Sequence, residues 1–297
     1  MLQFFCSVAL LSGDPQVLLK EGISLYQQGQ YREALRRLEE VARLSEGKAN
    51  AHALREDALF YIAKSAFALH RDNQASQQAL ILLDQYAGTK YFAEAIQLLY
   101  EVGVRKIDTP AKFLLWDVTR ADEGLAILEK LLKFDPNGPL ADDTLYKMAR
   151  THYERGEFDV AREQARQIVD RFPRSEFREP AMLLVALCAE KGSRGASYDV
   201  SGVRTGMGDA VRAAADAKDP RTREQALAYR KSFENTLAES EYRKAIALLK
   251  YGDVQSAVAV FRLVKEQHPG TPYAAIARRA LDLPELKELA QEYGEQR

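Results

Sequence analysis

A pattern of small, aromatic and turn-forming residues occurs four times along this 297-residue chain, starting at Gly22, Ala63, Ala149 and Ala245. Each copy has a large residue at +4, Gly or His at +7, Ala at +12, and apolar residues at +16 and +19. Self-similarity of this kind indicates a fold assembled from one repeated supersecondary unit. The repeat therefore constrains the fold more than any single motif does.

The spacing of the pattern predicts a helical hairpin. A Gly at +7 suits the left-handed conformation that ends a first helix. Positions +12, +16 and +19 share one face of a second helix, and small residues at the start and at +12 let the two helices approach closely. We therefore assign structural roles in the repeat to Gly22, Gly29, Ala34, Ala149, Gly156, Ala161, Ala245, Gly252 and Ala257.

A second phrase separates the hairpins, and we call it the boundary motif. Its three copies are DQYAGTKYFAEA (84–95), DRFPRSEFREPA (170–181) and EQHPGTPYAAIA (266–277). Pro stops a helix, and a Ser or Thr two residues later is a favoured N-cap for the next one. In the first copy Ala87 replaces the Pro. The motif predicts the end of one hairpin and the start of the next.

Composition limits the function classes. The chain is 46% hydrophobic with a net charge of −1, so it can bury a core and lacks the basic excess of most nucleic-acid-binding proteins. The four His are scattered, with no HExxH and no phosphate-binding Gly-rich loop, and Gly206-Met207-Gly208 is an isolated GxG. We expect no catalytic residues, no metal, no cofactor and no nucleic-acid partner.

The N-terminus is apolar. Leu2–Leu11 (LQFFCSVALL) has the length of the apolar region of an export signal, although no Lys or Arg precedes it. Residues 1–13 are accordingly interpreted as a truncated export segment, with an apolar strand or helix edge packed on the fold as the alternative. No other run approaches the ~18 apolar residues of a membrane span.

The stretches YQQGQYREALRRLEEV (26–41), YERGEFDVAREQARQI (153–168) and LKYGDVQSAVAVFRLV (249–264) resemble the tetratricopeptide repeat. This resemblance implies an all-α fold, a right-handed superhelical solenoid of about five hairpins within residues 14–283. The hairpins are expected at about 15–46, 52–87, 91–135, 140–172 and 178–218, with a last hairpin at 221–268 and a capping helix and tail at 270–297. In the hairpin at 178–218, Gly206 and Gly208 are expected to weaken the second helix.

Helix order, the pair Tyr198-Asp199 and the segment Leu237–Ala274 make the chain similar to the BamD family of outer-membrane lipoproteins. The similarity covers about residues 15–281. It implies a non-catalytic scaffold in the assembly of outer-membrane β-barrel proteins, placed in the periplasm or peripherally on the outer membrane. Gln3-Phe4-Phe5 precedes Cys6 where a lipobox would have small residues, which argues against lipidation of Cys6.

The first helices of the hairpins are expected to line a peptide-binding groove. In two repeats aromatic residues flank a cation, a combination suited to an extended peptide that carries apolar side chains and a carboxylate. The predicted groove residues are Tyr26, Phe60, Lys64, Phe67, Tyr146, Arg150 and Tyr153. The alternative is that the aromatic residues form core between repeats and the cations are solvated. The resemblance to BamD implies that the ligand is the C-terminal segment of an unfolded outer-membrane protein.

Two functions are therefore open. The first is a BamD-like scaffold that docks on a β-barrel assembly protein and receives client peptides. The second is a generic tetratricopeptide adaptor in a cell-envelope or cytoplasmic complex. Both would act through a preorganised surface that binds proteins or extended peptides.

Overall fold

The computed structural model of the chain describes residues 13–109, 118–192 and 200–288, and these residues are helical with no strand. The predicted all-α class is confirmed. The helices are α1 Pro15–Gln27, α2 Tyr31–Ser45, α3 His52–Ala68, α4 Asp72–Gln85, α5 Phe92–Asp108, α6 Val118–Phe134, α7 Ala141–Glu154, α8 Phe158–Arg171, α9 Arg178–Gly192, α10 Ser201–Asp216, α11 Pro220–Lys250, α12 Val254–Gln267 and α13 Pro272–Asp282. A 3-10 turn, Ala49–Ala51, precedes α3.

The chain divides into two compact units, one ending at Thr144 and one starting at Leu145. In the first unit each helix from α1 to α6 packs on the next. In the second unit the same holds from α8 to α13. Packing between helices that follow one another in the chain is the arrangement of a helical repeat, in which each unit buries its apolar side against its neighbours. Residues 1–12, including Cys6, and Tyr198-Asp199 lie outside the described residues.

Four hairpin turns share one backbone conformation. Gly29, Gly156 and Gly252 have φ between 76° and 82°, and His70 takes the equivalent place with φ 56°. In each turn the next residue donates its N–H to the carbonyl five positions earlier, over 2.9 to 3.0 Å. This bond satisfies one of the carbonyls that the helix end leaves free. The turn conformation agrees with the expected role of the +7 residue.

The boundary motif ends one helix and begins another. α8 stops two residues before Pro173, and α12 stops two residues before Pro269. The Thr271 hydroxyl then caps α13 by accepting the N–H of Ala274 at 3.2 Å. Asp14 and Asp219 cap α1 and α11 in the same way, each followed by Pro at the first helical position.

An aromatic pair recurs where one hairpin meets the next. The eighth residue of each boundary motif is aromatic. Its ring packs on an aromatic residue of the preceding repeat. That partner lies three positions before the small residue with which the repeat starts. The pairs are Phe60–Tyr91 at 3.9 Å, Tyr146–Phe177 at 4.7 Å and Tyr242–Tyr273 at 5.7 Å between ring centroids. The boundary motif thus supplies a helix stop, a cap and one half of a packing contact.

Small residues lie where helices approach most closely. A Cβ on Gly22 would lie 2.7 Å from the side chain of Leu38, and one on Gly124 would lie 2.7 Å from the carbonyl oxygen of Gly103. We expected Gly206 only to weaken its helix. In the structure it packs on Ala189 and Phe233, and these two side chains leave no room for a Cβ at this position. The alanines assigned to the repeat are fully buried, namely Ala34, Ala149, Ala161, Ala245 and Ala257.

Candidate functional site

A groove of about 240 Å³ lies between α3 and α5, the first helices of two consecutive hairpins in the first unit. Lys64 and Phe67 of α3, both predicted groove residues, form one wall. Leu98 of α5 is almost completely buried, whereas the α5 residues Glu94 and Glu101 are exposed. The groove therefore has an apolar floor and a charged rim. The α5 side of the groove is formed by Ala93, Glu94, Gln97, Leu98 and Glu101.

Arg105 fixes the Phe67 end of the groove. Its guanidinium lies 3.8 Å from the centroid of the Phe67 ring and 3.0 Å from a carboxylate oxygen of Asp72. It also donates to Nδ1 of His70 at 2.9 Å. These contacts join α5 to the turn between α3 and α4. Arg105 was not predicted from the sequence, because no spacing rule connects it to residues more than 30 positions earlier.

Lys64 is the free cation of the groove. Among the described residues it has no ion-pair partner, although Glu94 and Glu101 line the same cavity. Gln97 donates to Glu101 at 2.8 Å, so this acid is already held by a neighbour on its own helix. Lys64 is half-buried, and its ammonium group is consequently available to an anionic ligand group.

Tyr26 and Phe60 lie in a row of aromatic rings that includes two residues missed by the sequence analysis. Tyr61 packs on Tyr26 at 5.5 Å and on Phe60 at 5.2 Å, and Tyr91 stacks on Phe60. Phe60 is only 7% exposed, so it lies in the core, as the alternative interpretation described. Tyr61 could have been noticed as the neighbour of Phe60, and Tyr91 as the aromatic of the boundary motif.

Asp57 lies at the polar end of this row of aromatic rings. Its carboxylate accepts the Tyr91 hydroxyl at 2.8 Å and lies 2.7 Å from the Lys90 ammonium. Burial, together with the hydrogen bond to Asp57, raises the pKa of Tyr91 to about 12. The phenol therefore stays neutral and serves as a hydrogen-bond donor.

The third predicted set, Tyr146, Arg150 and Tyr153, lies on successive turns of α7. Tyr146 stacks on Phe177, and Tyr153 packs on Phe158 at 5.6 Å. Arg150 is exposed and lies 3.2 Å from Glu154. Hydrogen bonds with Tyr146 and Glu154 raise the pKa of Arg150 above its ordinary value. These side chains already have partners, unlike Lys64.

The two buried histidines of the second unit have structural partners. His152 bonds to Glu157, and His268 lies 3.3 Å from Glu241. Burial raises the pKa of the Cys188 thiol to about 11, which keeps it in the unreactive protonated form. Within residues 13–109, 118–192 and 200–288, no group of three or more His, Cys, Asp or Glu is placed to hold a metal ion. In the same ranges no helix has the length and apolarity that crossing a bilayer requires.

Comparison with known proteins supports the repeat. Residues 16–44 and 143–175 match the family model described as tetratricopeptide repeat. The first match lies in the α1–α2 hairpin, and the second runs from α7 through α8 into the boundary motif. No curated protein matches the chain.

Several solved structures are similar at low identity. A tetratricopeptide-repeat protein of Thermus thermophilus is 17% identical, with a TM-score of 0.34 over 72% of this chain and 98% of that one. MamA is 16% identical, with a TM-score of 0.38 over 78% and 93%. PilW, a type IV pilus biogenesis factor, is 14% identical, with a TM-score of 0.30 over 88% and 97%. The family match is therefore confined to two segments of the chain, 16–44 and 143–175, each of which is similar to a tetratricopeptide repeat.

Proposed function

We propose that the chain is a non-catalytic scaffold that binds an extended peptide in the groove between α3 and α5. The observation that carries the proposal is the position of Lys64 and Phe67, an unpaired cation and an aromatic ring in one open cavity of the described residues. Tetratricopeptide repeats generally bind proteins or peptides, and grooves between helices are a recurring mode of peptide recognition.

The side chains that line the groove indicate which kind of ligand it would bind. Phe67 and Leu98 offer apolar surface to one side chain, while Lys64 can pair with a carboxylate beside it. Because Arg105 already holds Phe67 in place, the ring loses little freedom when a ligand binds. A peptide with an aromatic or apolar C-terminal residue would present both groups, since its terminal carboxylate is next to its last side chain.

Fluorescence anisotropy with a decapeptide ending in Phe tests this assignment. The free-acid form should bind more tightly than the C-terminal amide. Replacing Lys64 by Gln should lower affinity for the free acid about tenfold, because one charge-assisted hydrogen bond is lost. Affinity for the amide should change little.

Lys244→Gln is the matched control, since Lys244 is an exposed cation on α11 of the second unit and does not line the groove. It should leave both affinities unchanged. If Lys64→Gln binds the two peptide forms as the native chain does, the groove is not the peptide site.

The more specific role proposed is participation in outer-membrane β-barrel assembly, with client C-terminal segments as ligands. Its support is the sequence similarity to BamD across residues 237–274, in addition to groove chemistry that suits a C-terminal carboxylate. A generic tetratricopeptide adaptor would use the same groove for another protein.

Cell fractionation of the tagged protein, followed by pull-down in mild detergent, separates these two roles. Co-purification with a large outer-membrane β-barrel protein from the membrane fraction would support the assembly role. A cytoplasmic location with other partners would contradict it while leaving the peptide-binding proposal intact.

A further inference from the structure

Two adjoining cavities, of about 490 and 370 Å³, lie between α4 and α6, the second helices of two consecutive hairpins in the first unit. Both are lined by Asn73, Lys106 and Glu123, so they form one continuous surface, which we call the cationic groove. It has no residue in common with the groove between α3 and α5 proposed above to bind peptides.

Lys106 of α5 fixes the spacing of the two helices that flank the cationic groove. Its ammonium donates to the side-chain oxygen of Asn73 on α4 at 2.5 Å and to the carboxylate of Glu123 on α6. The lysine side chain is only 4% exposed, and a buried ammonium requires such partners. Because one residue is bonded to both helices, the groove is formed before a partner arrives, and binding need not order it.

The acids that line the cationic groove are already neutralised. Asp72 lies 3.0 Å from the guanidinium of Arg105, and Glu123 pairs with Lys106. These two carboxylates are therefore not available to balance any further positive charge.

Three cations of the groove have no such partner. Arg71 and Arg120 line the larger cavity, and Lys130 lines the smaller one. All three residues are exposed, and their side chains form no hydrogen bond or ion pair within the part of the chain that the structure describes. The groove thus presents uncompensated positive charge at both ends, which an anionic partner would neutralise.

Apolar side chains lie between the charged ends. Arg120 and Lys130 are about 15 Å apart along α6, since each helical residue rises 1.5 Å. Ile127 lies between them on the same helix, is 8% exposed and lines the groove together with Leu80 of α4. A matching partner therefore needs two acidic groups about this far apart and an apolar side chain between them.

An extended peptide meets this requirement. Alternate residues of an extended chain point to the same side, at about 3.3 Å per residue, so the two acids of the pattern acid-x-apolar-x-acid are about 13 Å apart. A strand of phosphates would also meet the cations, but it would leave Leu80 and Ile127 in contact with water. The chain as a whole, with a net charge of −1, also lacks the basic excess of most nucleic-acid-binding proteins.

We propose that the cationic groove is a docking site for an extended acidic segment of a partner protein, with the pattern acid-x-apolar-x-acid. One carboxylate binds Arg71 and Arg120, the apolar side chain covers Leu80 and Ile127, and the second carboxylate binds Lys130. Recognition of acidic motifs by clustered cations is a recurring mode of peptide binding. The site does not depend on the function proposed for the groove between α3 and α5.

Fluorescence anisotropy with the full chain tests the site. The probe is the peptide Gly-Ser-Glu-Ser-Leu-Ser-Glu-Ser-amide, labelled with a neutral dye at its N-terminus. It should bind more tightly than a peptide with Gln in place of both Glu and than one with Ser in place of Leu. The double variant Arg120→Gln/Lys130→Gln should bind it about tenfold more weakly, because two exposed ion pairs are lost.

Lys133→Gln/Lys244→Gln is the matched control, since it removes the same charge from two exposed lysines that do not line the groove. It should bind the Glu peptide as the native chain does. Lys64→Gln should also do so, which separates this site from the groove between α3 and α5. Arg120 and Lys130 are exposed and unpaired among the described residues, so their double variant should unfold at the same urea concentration as the native chain.

Three results would overturn the proposal. One is equal binding of the Glu and Gln peptides, and another is equal affinity of Arg120→Gln/Lys130→Gln and the native chain for the Glu peptide. The third is tighter binding of a single-stranded oligonucleotide than of the Glu peptide, which would assign the positive charge to nucleic acid.

Discussion

At the scale of single residues, the backbone angle at each hairpin turn decides which amino acid is tolerated. Gly29, Gly156 and Gly252 adopt the left-handed conformation with open space around the α-carbon. Any side chain at these positions is disfavoured, because the left-handed conformation costs an L-residue roughly 1–2 kcal/mol of conformational free energy. His70 occupies the same conformation, and its ring accepts a hydrogen bond from Arg105.

Two glycine-to-alanine substitutions should therefore have opposite effects. Gly156→Ala should lower the free energy of unfolding by about 1–2 kcal/mol, because alanine is strained at φ 77°. Gly208→Ala should raise it by about 0.5–1 kcal/mol, because Gly208 lies inside α10 with nothing within 4 Å of an added Cβ. Urea denaturation followed by circular dichroism measures both. A Gly156→Ala variant as stable as the native chain would show that the turn conformation is not required.

At the scale of secondary-structure elements, α8 and α10 are joined by charged side chains. Asp209 of α10 accepts from Arg162 and Arg166 of α8, and it is buried. Burial alone would raise the pKa of Asp209, but the hydrogen bonds from Arg162 and Arg166 outweigh it, and the pKa lies below its usual value. A buried carboxylate with three partners is stabilising only as long as it remains ionised.

Replacing Asp209 by Asn should destabilise the second unit most at neutral pH. The loss should be on the order of 3 kcal/mol, because the arginines keep their charges without the buried counter-ion. The lowered pKa means that Asp209 contributes its full stabilisation above the unfolded-state pKa of about 3.9. The contribution is lost as pH falls further, through the folded-state pKa.

Urea unfolding of the native and Asp209→Asn chains between about pH 2 and about pH 7 measures this dependence. The difference in stability between the two should be constant above about pH 5 and should shrink below about pH 4. Asp282→Asn provides a control, since Asp282 is an exposed acid at the end of α13. A difference that stays the same over the whole pH range would contradict an ionised Asp209 as the link between α8 and α10.

At the scale of the whole molecule, stability depends on interfaces between successive helices. Repeat arrays gain stability from nearest-neighbour packing, so damage to one hairpin extends to the hairpins beside it. Ala161 is fully buried near the start of α8, where a charged side chain would be removed from water.

Ala161→Asp should disrupt the α7–α8 hairpin and weaken the adjacent helices of the second unit. Hydrogen exchange measured by mass spectrometry should show lost protection in α7, α8 and α9, with α1 and α2 retaining theirs. Val160→Asp is the matched control, because Val160 is the preceding residue and is 46% exposed. Native-like protection in α8 of Ala161→Asp would show that the helix crossing lies elsewhere.

Local structure in this protein can be derived from short-range signals in the amino-acid sequence. Glycines at the turns, prolines after helices and hydroxyl or carboxylate caps act through the backbone of their own neighbourhood, so they can be recognised without a tertiary structure. Gly156, Pro173 and Thr271 are examples, because each acts within a few residues of its place in the chain. The all-α class and the repeat followed from these signals.

Which side chains face a cavity and which lie in the core depends on how the helices pack against one another. Phe60 and Lys64 lie one helical turn apart, yet stacking on Tyr91 buries Phe60, while Lys64 lines an open groove. The ion pair between Arg166 and Asp209 had no sequence signal, because the two residues are separated by 43 positions and meet only when α8 packs beside α10. Contacts of this kind depend on how helices are placed, and helix placement results from the sum of many packing interactions distributed along the chain.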